Sequence, residues 1–125
     1  MSKSNDSERD SMRLQHIYDA IGVMDTYLSN ETEDSFVSDA RLTSLAAYQL
    51  AIIGEAFSAM SEGFKEQYPM LPYREAKSFR NFLIHEYIDV SFERVWDSYK
   101  KHIPHLKKEI EEINLLSLIV RSGLL

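Results

Sequence analysis

The sequence predicts an all-α protein, an antiparallel bundle of four to five helices. Three observations favour this class. The chain has 125 residues, the length of one domain with one core. It contains only 4 glycines and 3 prolines, too few for the many tight turns of a β-sandwich or barrel. Its apolar residues recur at intervals of three and four, the period of amphipathic helices that pack into a bundle.

This apolar periodicity divides the chain into four helical segments. Residues 12–28 carry one apolar stripe, as expected for a helix with one buried face. Residues 40–60 are apolar on nearly all sides, so this helix is either central in its domain or shared with another subunit. A third helix is predicted for residues 72–87, beginning at a proline. A fourth covers residues 92–113, and Pro104 kinks or restarts it.

The remaining segments set the expected domain boundaries. Residues 1–10 are rich in serine, aspartate and lysine and are expected to be disordered. Residues 29–39 are predicted to form an acidic loop. The helical domain is therefore expected to comprise residues 11–113, followed by an apolar C-terminal extension at residues 114–125.

Composition excludes several function classes. The chain has no cysteine, so disulfide scaffolds, thiol nucleophiles and zinc ribbons are excluded, and a reducing cytoplasm is compatible. The net charge of −6 argues against generic, charge-driven binding of nucleic acid but allows a local basic site. We see no secretory signal and no apolar run long enough to cross a bilayer. A cytoplasmic location without membrane attachment is the expectation.

Two histidine patterns suggest metal binding at first sight. His85-Glu86 begins a His-Glu-x-x-His motif, but Asp89 stands at the position of the second histidine. His102 and His105 are three residues apart, with a proline between them and no third ligand nearby in sequence. Glycine-rich phosphate-binding motifs are absent from the sequence. We therefore expect neither a metal nor a cofactor.

The third predicted helix concentrates polar and basic residues. Arg74, Lys77, Arg80, Asn81 and His85 lie within twelve residues of an otherwise acidic chain. At about 100° per residue, Asn81 and His85 are neighbours on one face, whereas Arg80 and His85 diverge by about 140°. Two copies of the helix across a two-fold axis could surround one cleft with these groups. The alternative is a solvated basic face without a catalytic role.

Residues 80–87, Arg-Asn-Phe-Leu-Ile-His-Glu-Tyr, resemble the Arg-x4-His-x-Tyr motif of the HepT-like toxins, a branch of the HEPN superfamily. The resemblance covers about residues 12–113. It includes Arg13-Leu14-Gln15-His16-Ile17, Ile52-Ile53-Gly54-Glu55-Ala56, Tyr68-Pro69, Val95-Trp96-Asp97 and Ile103-Pro104-His105-Leu106. Tyr73 stands where many relatives carry tryptophan, and the segment 114–125 extends past the usual end of the family.

The resemblance implies a homodimeric, metal-independent ribonuclease of a type II toxin–antitoxin system. Its RNA-cleaving residues would be Arg80 and His85, supported by Asn81 and Lys77. Its partner would be a nucleotidyltransferase (MNT) antitoxin that transfers AMP to the motif tyrosine, which is Tyr87 here. No cofactor is implied.

Two alternatives to the enzyme stay open. The chain could be a non-catalytic HEPN module that binds a nucleotidyltransferase, or a structural bundle whose polar face is only solvated. The intact pair of Arg80 and His85 favours the enzyme, because docking alone would not need a titratable histidine beside a cationic group.

Overall fold

A computed structural model describes the chain at residues 3–85 and 90–123, with side chains at residues 5–81, 90–116 and 122–123. These ranges form helices and contain no strand, so the predicted all-α class is confirmed. Five of the helices have ten residues or more and two are short. The helices are α1 (Lys3–Leu28), α2 (Glu33–Val37), α3 (Ala40–Ser58), α4 (Glu62–Gln67), α5 (Tyr73–His85), α6 (Phe92–Lys101) and α7 (Ile103–Ser122).

Helix α3 is the central element of the described structure. It packs most extensively against α5 and α1, and it also contacts α2 and α6. The largest fully buried side chains come from the helices around it and from α3 itself: Phe36, Phe57, Ile17, Ile21, Met24, Leu28, Ile110 and Val95. Most of the apolar residues around α3 are therefore buried by other helices of the same chain.

The crossing of α3 and α5 depends on the absence of a side chain at Gly54. A Cβ atom at this position would lie 2.6 Å from the carbonyl oxygen of Ala76 and 2.6 Å from the Cβ of Arg80. Both distances are well below van der Waals contact, so the two helices approach more closely than any larger residue would permit. The close approach places Arg80 directly against α3.

The N-terminal segment differs from its expected disorder. Helix α1 begins at Lys3, well before residue 10. Asp10 is buried and accepts hydrogen bonds from the backbone nitrogen (2.9 Å) and the hydroxyl (2.5 Å) of Ser61. Since Ser61 also caps α4, this carboxylate joins the start of α1 to α4. The tertiary contact with a residue 51 positions away anchors the helix. The composition of residues 1–10 alone cannot predict such a contact.

A short helix lies inside the segment predicted to be an acidic loop. Thr32 begins α2 with a capping box, in which its side chain accepts from the Ser35 backbone nitrogen and Ser35 accepts from the Thr32 nitrogen. Phe36 is fully buried, and its ring centroid lies 5.2 Å from that of Trp96 on α6. The loop therefore contributes an aromatic side chain to the core.

The C-terminal helices are tied to α1 through one carboxylate. The chain restarts as α7 at Ile103, as the proline at position 104 predicts. Asp25 of α1 accepts hydrogen bonds from the Tyr99 hydroxyl (3.0 Å) and from Lys107 Nζ (3.2 Å). Burial, and then this bond to Asp25, raise the pKa of Tyr99 to about 12. The same carboxylate raises the pKa of Lys107.

The helix crossing at Gly54 leads to a test of stability. We expect Gly54→Ala to lower the free energy of unfolding by about 1–2 kcal/mol, because an overpacked contact costs about 1–3 kcal/mol and alanine recovers up to about 1 kcal/mol of helix propensity. Gly22→Ala is the matched control, since Gly22 lies in α1 with open space around its Cβ position. It should raise stability by roughly 0.5–1 kcal/mol. Urea unfolding of both variants measures the difference, and equal stabilisation by both would contradict the close crossing.

Candidate active site

Helix α5 carries the residues that the sequence singled out. Arg80 and Asn81 are half-buried, and Lys77 is exposed. His85 is the last described residue of the helix, but its side chain is outside the described part of the structure, and so is the whole of Tyr87. The structure thus brings Arg80 and Asn81 together, and the roles of His85 and Tyr87 stay predictions.

The Arg80 guanidinium is held from two sides. Its Nη1 forms an ion pair with Oε2 of Glu55 on α3. Its Nε and Nη2 donate hydrogen bonds to the Oδ1 of Asn81, at 3.3 and 2.8 Å. Each Nη atom carries a second N–H, so the group retains donors for an anion while its position is set by protein contacts. The Arg80 side chain is 23% exposed, which leaves it within reach of a bound molecule.

Asn81 has one described partner, the neighbouring Arg80. Four residues separate it from His85, and the sequence predicts that these two side chains are neighbours. In the structure its oxygen accepts from Arg80, because the long arginine side chain reaches the adjacent position, and the side chain of His85 lies outside the described residues. These two hydrogen bonds fix the orientation of the Arg80 guanidinium.

A groove of about 530 Å³ opens beside Arg80, between α1, α3 and α5, and we call it the Arg80 groove. Helix α1 lines it with three basic or titratable side chains, and α3 lines it with apolar side chains and one carboxylate. The charged or titratable members are Arg9, Arg13, His16, Glu55 and Arg80, and the apolar ones include Met12, Tyr48 and Ile52. Three arginines against one glutamate give 3 − 1 = +2 with histidine neutral, although the whole chain carries −6.

Sequence reasoning gave the α1 residues of this groove no role. Arg9, Arg13 and His16 stand at positions i, i+4 and i+7, the spacing that aligns side chains on one helix face. This periodicity of basic residues was the available signal. It was obscured because Arg9 falls in the segment expected to be disordered and because only tertiary packing brings α1 beside Arg80.

The described residues contain no group of three or more histidine, aspartate or glutamate side chains placed to hold a metal ion. His105 lies 3.3 Å from Glu109 on α7, where it forms an i,i+4 pair, and His102 is exposed at the end of α6. Among the same residues, no helix is long and apolar enough to cross a membrane.

Comparison with known proteins decides the family. A family model described as "Ribonuclease HepT-like" matches residues 17–113, which include all of α3, α5 and α6. The chain belongs to this family. The match confirms the resemblance predicted from residues 80–87 and the landmarks around them, and the protein is a ribonuclease of the HepT-like class.

Curated relatives agree with this membership. "Probable ribonuclease HepT" from Thermococcus cleftensis is 31% identical over 100 residues, which are 80% of this chain and 91% of the relative. "Putative RNase TTE0752" from Caldanaerobacter subterraneus is 33% identical over 80% of this chain and 89% of the relative. "Gamma-glutamylcyclotransferase and putative RNase MJ0434" from Methanocaldococcus jannaschii is 35% identical, but the matched region spans only 45% of that protein. No solved structure matches the chain significantly.

Proposed function

We propose that this HepT-like ribonuclease cleaves RNA without a metal ion, through Arg80 and His85, and that it is the toxin of a toxin–antitoxin system. The family match supports the RNA-cleaving class, since it spans the helix that carries both residues. The observation that carries the assignment of Arg80 is its guanidinium, held by Glu55 and Asn81 at the edge of a cationic groove.

The reaction needs few groups from the protein. In RNA the 2′-hydroxyl can attack the adjacent phosphorus, so that the bond to the 5′-oxygen breaks and a 2′,3′-cyclic phosphate forms. His85 accepts the proton of the 2′-hydroxyl or supplies one to the leaving 5′-oxygen, since imidazole titrates near neutral pH. Arg80 stabilises the negative charge that develops on the non-bridging oxygens.

Two further residues of α5 support this chemistry. Asn81 holds the Arg80 guanidinium through its Oδ1, which reduces the reorganisation needed when charge develops on the phosphate. Lys77 is exposed one turn before Asn81 and adds a positive charge that attracts the RNA backbone.

The catalytic assignment can be tested by substitution. We expect Arg80→Ala and His85→Ala each to reduce RNA cleavage at least about 100-fold and to relieve growth arrest in cells that express the protein. EDTA should leave wild-type cleavage intact. Arg74→Ala is the matched control, because Arg74 is an exposed arginine of the same helix outside the Arg80 groove. Cleavage assays on purified protein, with circular dichroism to verify folding, measure the effect. Full activity in Arg80→Ala or in His85→Ala would show the assignment to be wrong.

The proposed homodimer follows from the geometry of α5. Arg80 and His85 diverge by about 140° on one helix, and the Arg80 side chain points toward Glu55 of α3. Two copies around a two-fold axis would let one cleft receive both kinds of side chain, as isologous interfaces commonly do.

Light scattering tests the dimer directly. We expect a particle of about twice the 14.5 kDa chain mass at micromolar concentration. A monodisperse monomer under the same conditions, in a preparation that cleaves RNA, would rule the composite site out.

The proposed regulation is transfer of AMP to Tyr87 by the cognate nucleotidyltransferase antitoxin. The phenol oxygen would attack the α-phosphorus of ATP, lose its proton and release pyrophosphate. The added phosphate group would compete with RNA for the positive field of Arg80 and Lys77. This modification would act in the cytoplasm, where toxin and antitoxin are made together.

The described tyrosines differ in how readily their hydroxyls could receive AMP in place of Tyr87. Tyr73 and Tyr99 donate their hydroxyls to the Tyr68 carbonyl (2.8 Å) and to Asp25 (3.0 Å), and burial raises both pKa values to about 12. Such phenols are poor nucleophiles. Tyr27 and Tyr48 are exposed and are the competitors that matter.

Mass spectrometry after co-expression with the antitoxin tests this regulation. We expect AMP on the peptide that contains Tyr87, and its loss in Tyr87→Phe. Tyr27→Phe is the control and should retain the modification, since Tyr27 is an exposed tyrosine at the far end of α1. AMP found only on another tyrosine would contradict the proposal.

A further inference from the structure

We propose that the Arg80 groove binds single-stranded RNA beside the phosphate that Arg80 contacts, with Tyr48 stacking on a base and Arg9 and Arg13 contacting neighbouring phosphates. The proposal rests on the ribonuclease function proposed above and identifies where that substrate extends beyond the cut bond. It assigns α1 and α3 a role in substrate binding, although the reaction residues lie on α5.

The charge of the groove matches a polyanion. Its lining carries three of the seven arginines and has a positive excess, although the whole chain has a net charge of −6. The one acidic residue of the lining, Glu55, is paired with Arg80. Arg13 makes a long contact of 3.6 Å with Asp10, whose oxygens also accept from Ser61. The five N–H donors of a guanidinium leave Arg13 able to bind phosphate as well.

The apolar side of the groove matches nucleobases. Tyr48 is 67% exposed and Met12 is 59% exposed, although both are large side chains with apolar surface. The half-buried Ile52 also lines the groove. Aromatic side chains next to a basic track are the usual components of a single-strand site, because every base presents a π face to stack on.

The row formed by Arg9, Arg13 and His16 on α1 is long enough to contact a short stretch of RNA. Seven residues separate Arg9 from His16, which corresponds to about 10 Å along the helix axis. Consecutive phosphates of a single strand are farther apart than the roughly 3.4 Å axial rise of a duplex strand, so this distance corresponds to no more than a few nucleotides. The groove therefore accommodates the nucleotides that flank the cut and leaves the reacting phosphate to α5.

Fluorescence anisotropy with a labelled 2′-O-methyl RNA of about twelve nucleotides tests the proposal. This probe has no 2′-hydroxyl to react, so binding is measured whether or not the protein cleaves. We expect Tyr48→Ala to weaken binding at least about fivefold without changing its salt dependence. We expect Arg13→Gln to reduce the steepness of the salt dependence by about 0.7 in log Kd per log salt, the amount for one phosphate contact to a single strand.

Matched controls separate the groove from general effects. Tyr27→Ala removes a tyrosine that is 56% exposed at the other end of α1, and Lys101→Gln removes a charge that is 67% exposed on α6. Both should bind like the wild type. Arg9→Gln is a second charge variant, one turn before Arg13 in the same groove lining, and it shows whether an effect of Arg13→Gln depends on the contact between Arg13 and Asp10. Thermal unfolding of every variant verifies that each is folded at the assay temperature.

Two results would overturn the proposal. Wild-type affinity and salt dependence in Tyr48→Ala and both arginine variants would show that RNA does not occupy the groove. Conversion of a dimer to a monomer by Tyr48→Ala, seen by light scattering, would show that a second copy of the chain covers it. Either result leaves the reaction residues testable, since failure of the ribonuclease proposal appears instead as undiminished cleavage by His85→Ala.

Discussion

The close crossing of α3 and α5 at Gly54 is the constraint on which the site depends. The carbonyl of Ala76 and the Cβ of Arg80 occupy the space that a side chain at this position would need. At this separation the Arg80 guanidinium reaches Glu55, the residue that follows Gly54 on α3. A wider crossing would lengthen the reach to Glu55, and the arginine would be held by Asn81 alone. The most extensive helix contact of the described structure thus also sets the position of the cation.

Charge distribution explains how an acidic chain can act on RNA. A net charge of −6 disfavours indiscriminate binding to nucleic acid, because most of the surface repels phosphate. The Arg80 groove reverses this sign locally, through side chains of α1 and α5. Long-range attraction is therefore weak, and affinity depends on contacts made at one place. Such a distribution supports the proposal that single-stranded RNA binds in the groove.

Local sequence patterns predict some elements of the fold and fail for those that depend on distant contacts. The apolar stripe of residues 12–28 and the proline at 104 each act within a few residues, so the helices they predict are found. Local patterns do not predict the start of α1, because Asp10 is anchored by Ser61, the residue that caps α4. Phe36 was assigned to a loop because its partner Trp96 lies 60 positions away in the chain, and no short window contains both.

The sequence by itself determined the all-α class, the HepT-like family and the helix that carries Arg80 and His85, because periodicity and motif spacing are local properties. It also determined that these two residues diverge on one helix, since that angle follows from helical geometry. Only the tertiary structure decided that Glu55 pairs with Arg80 and that Arg9, Arg13 and Tyr48 line a groove beside it. The helix contacts that bring these residues together depend on how closely α1, α3 and α5 pack, and that distance is set by side chains far apart in the chain.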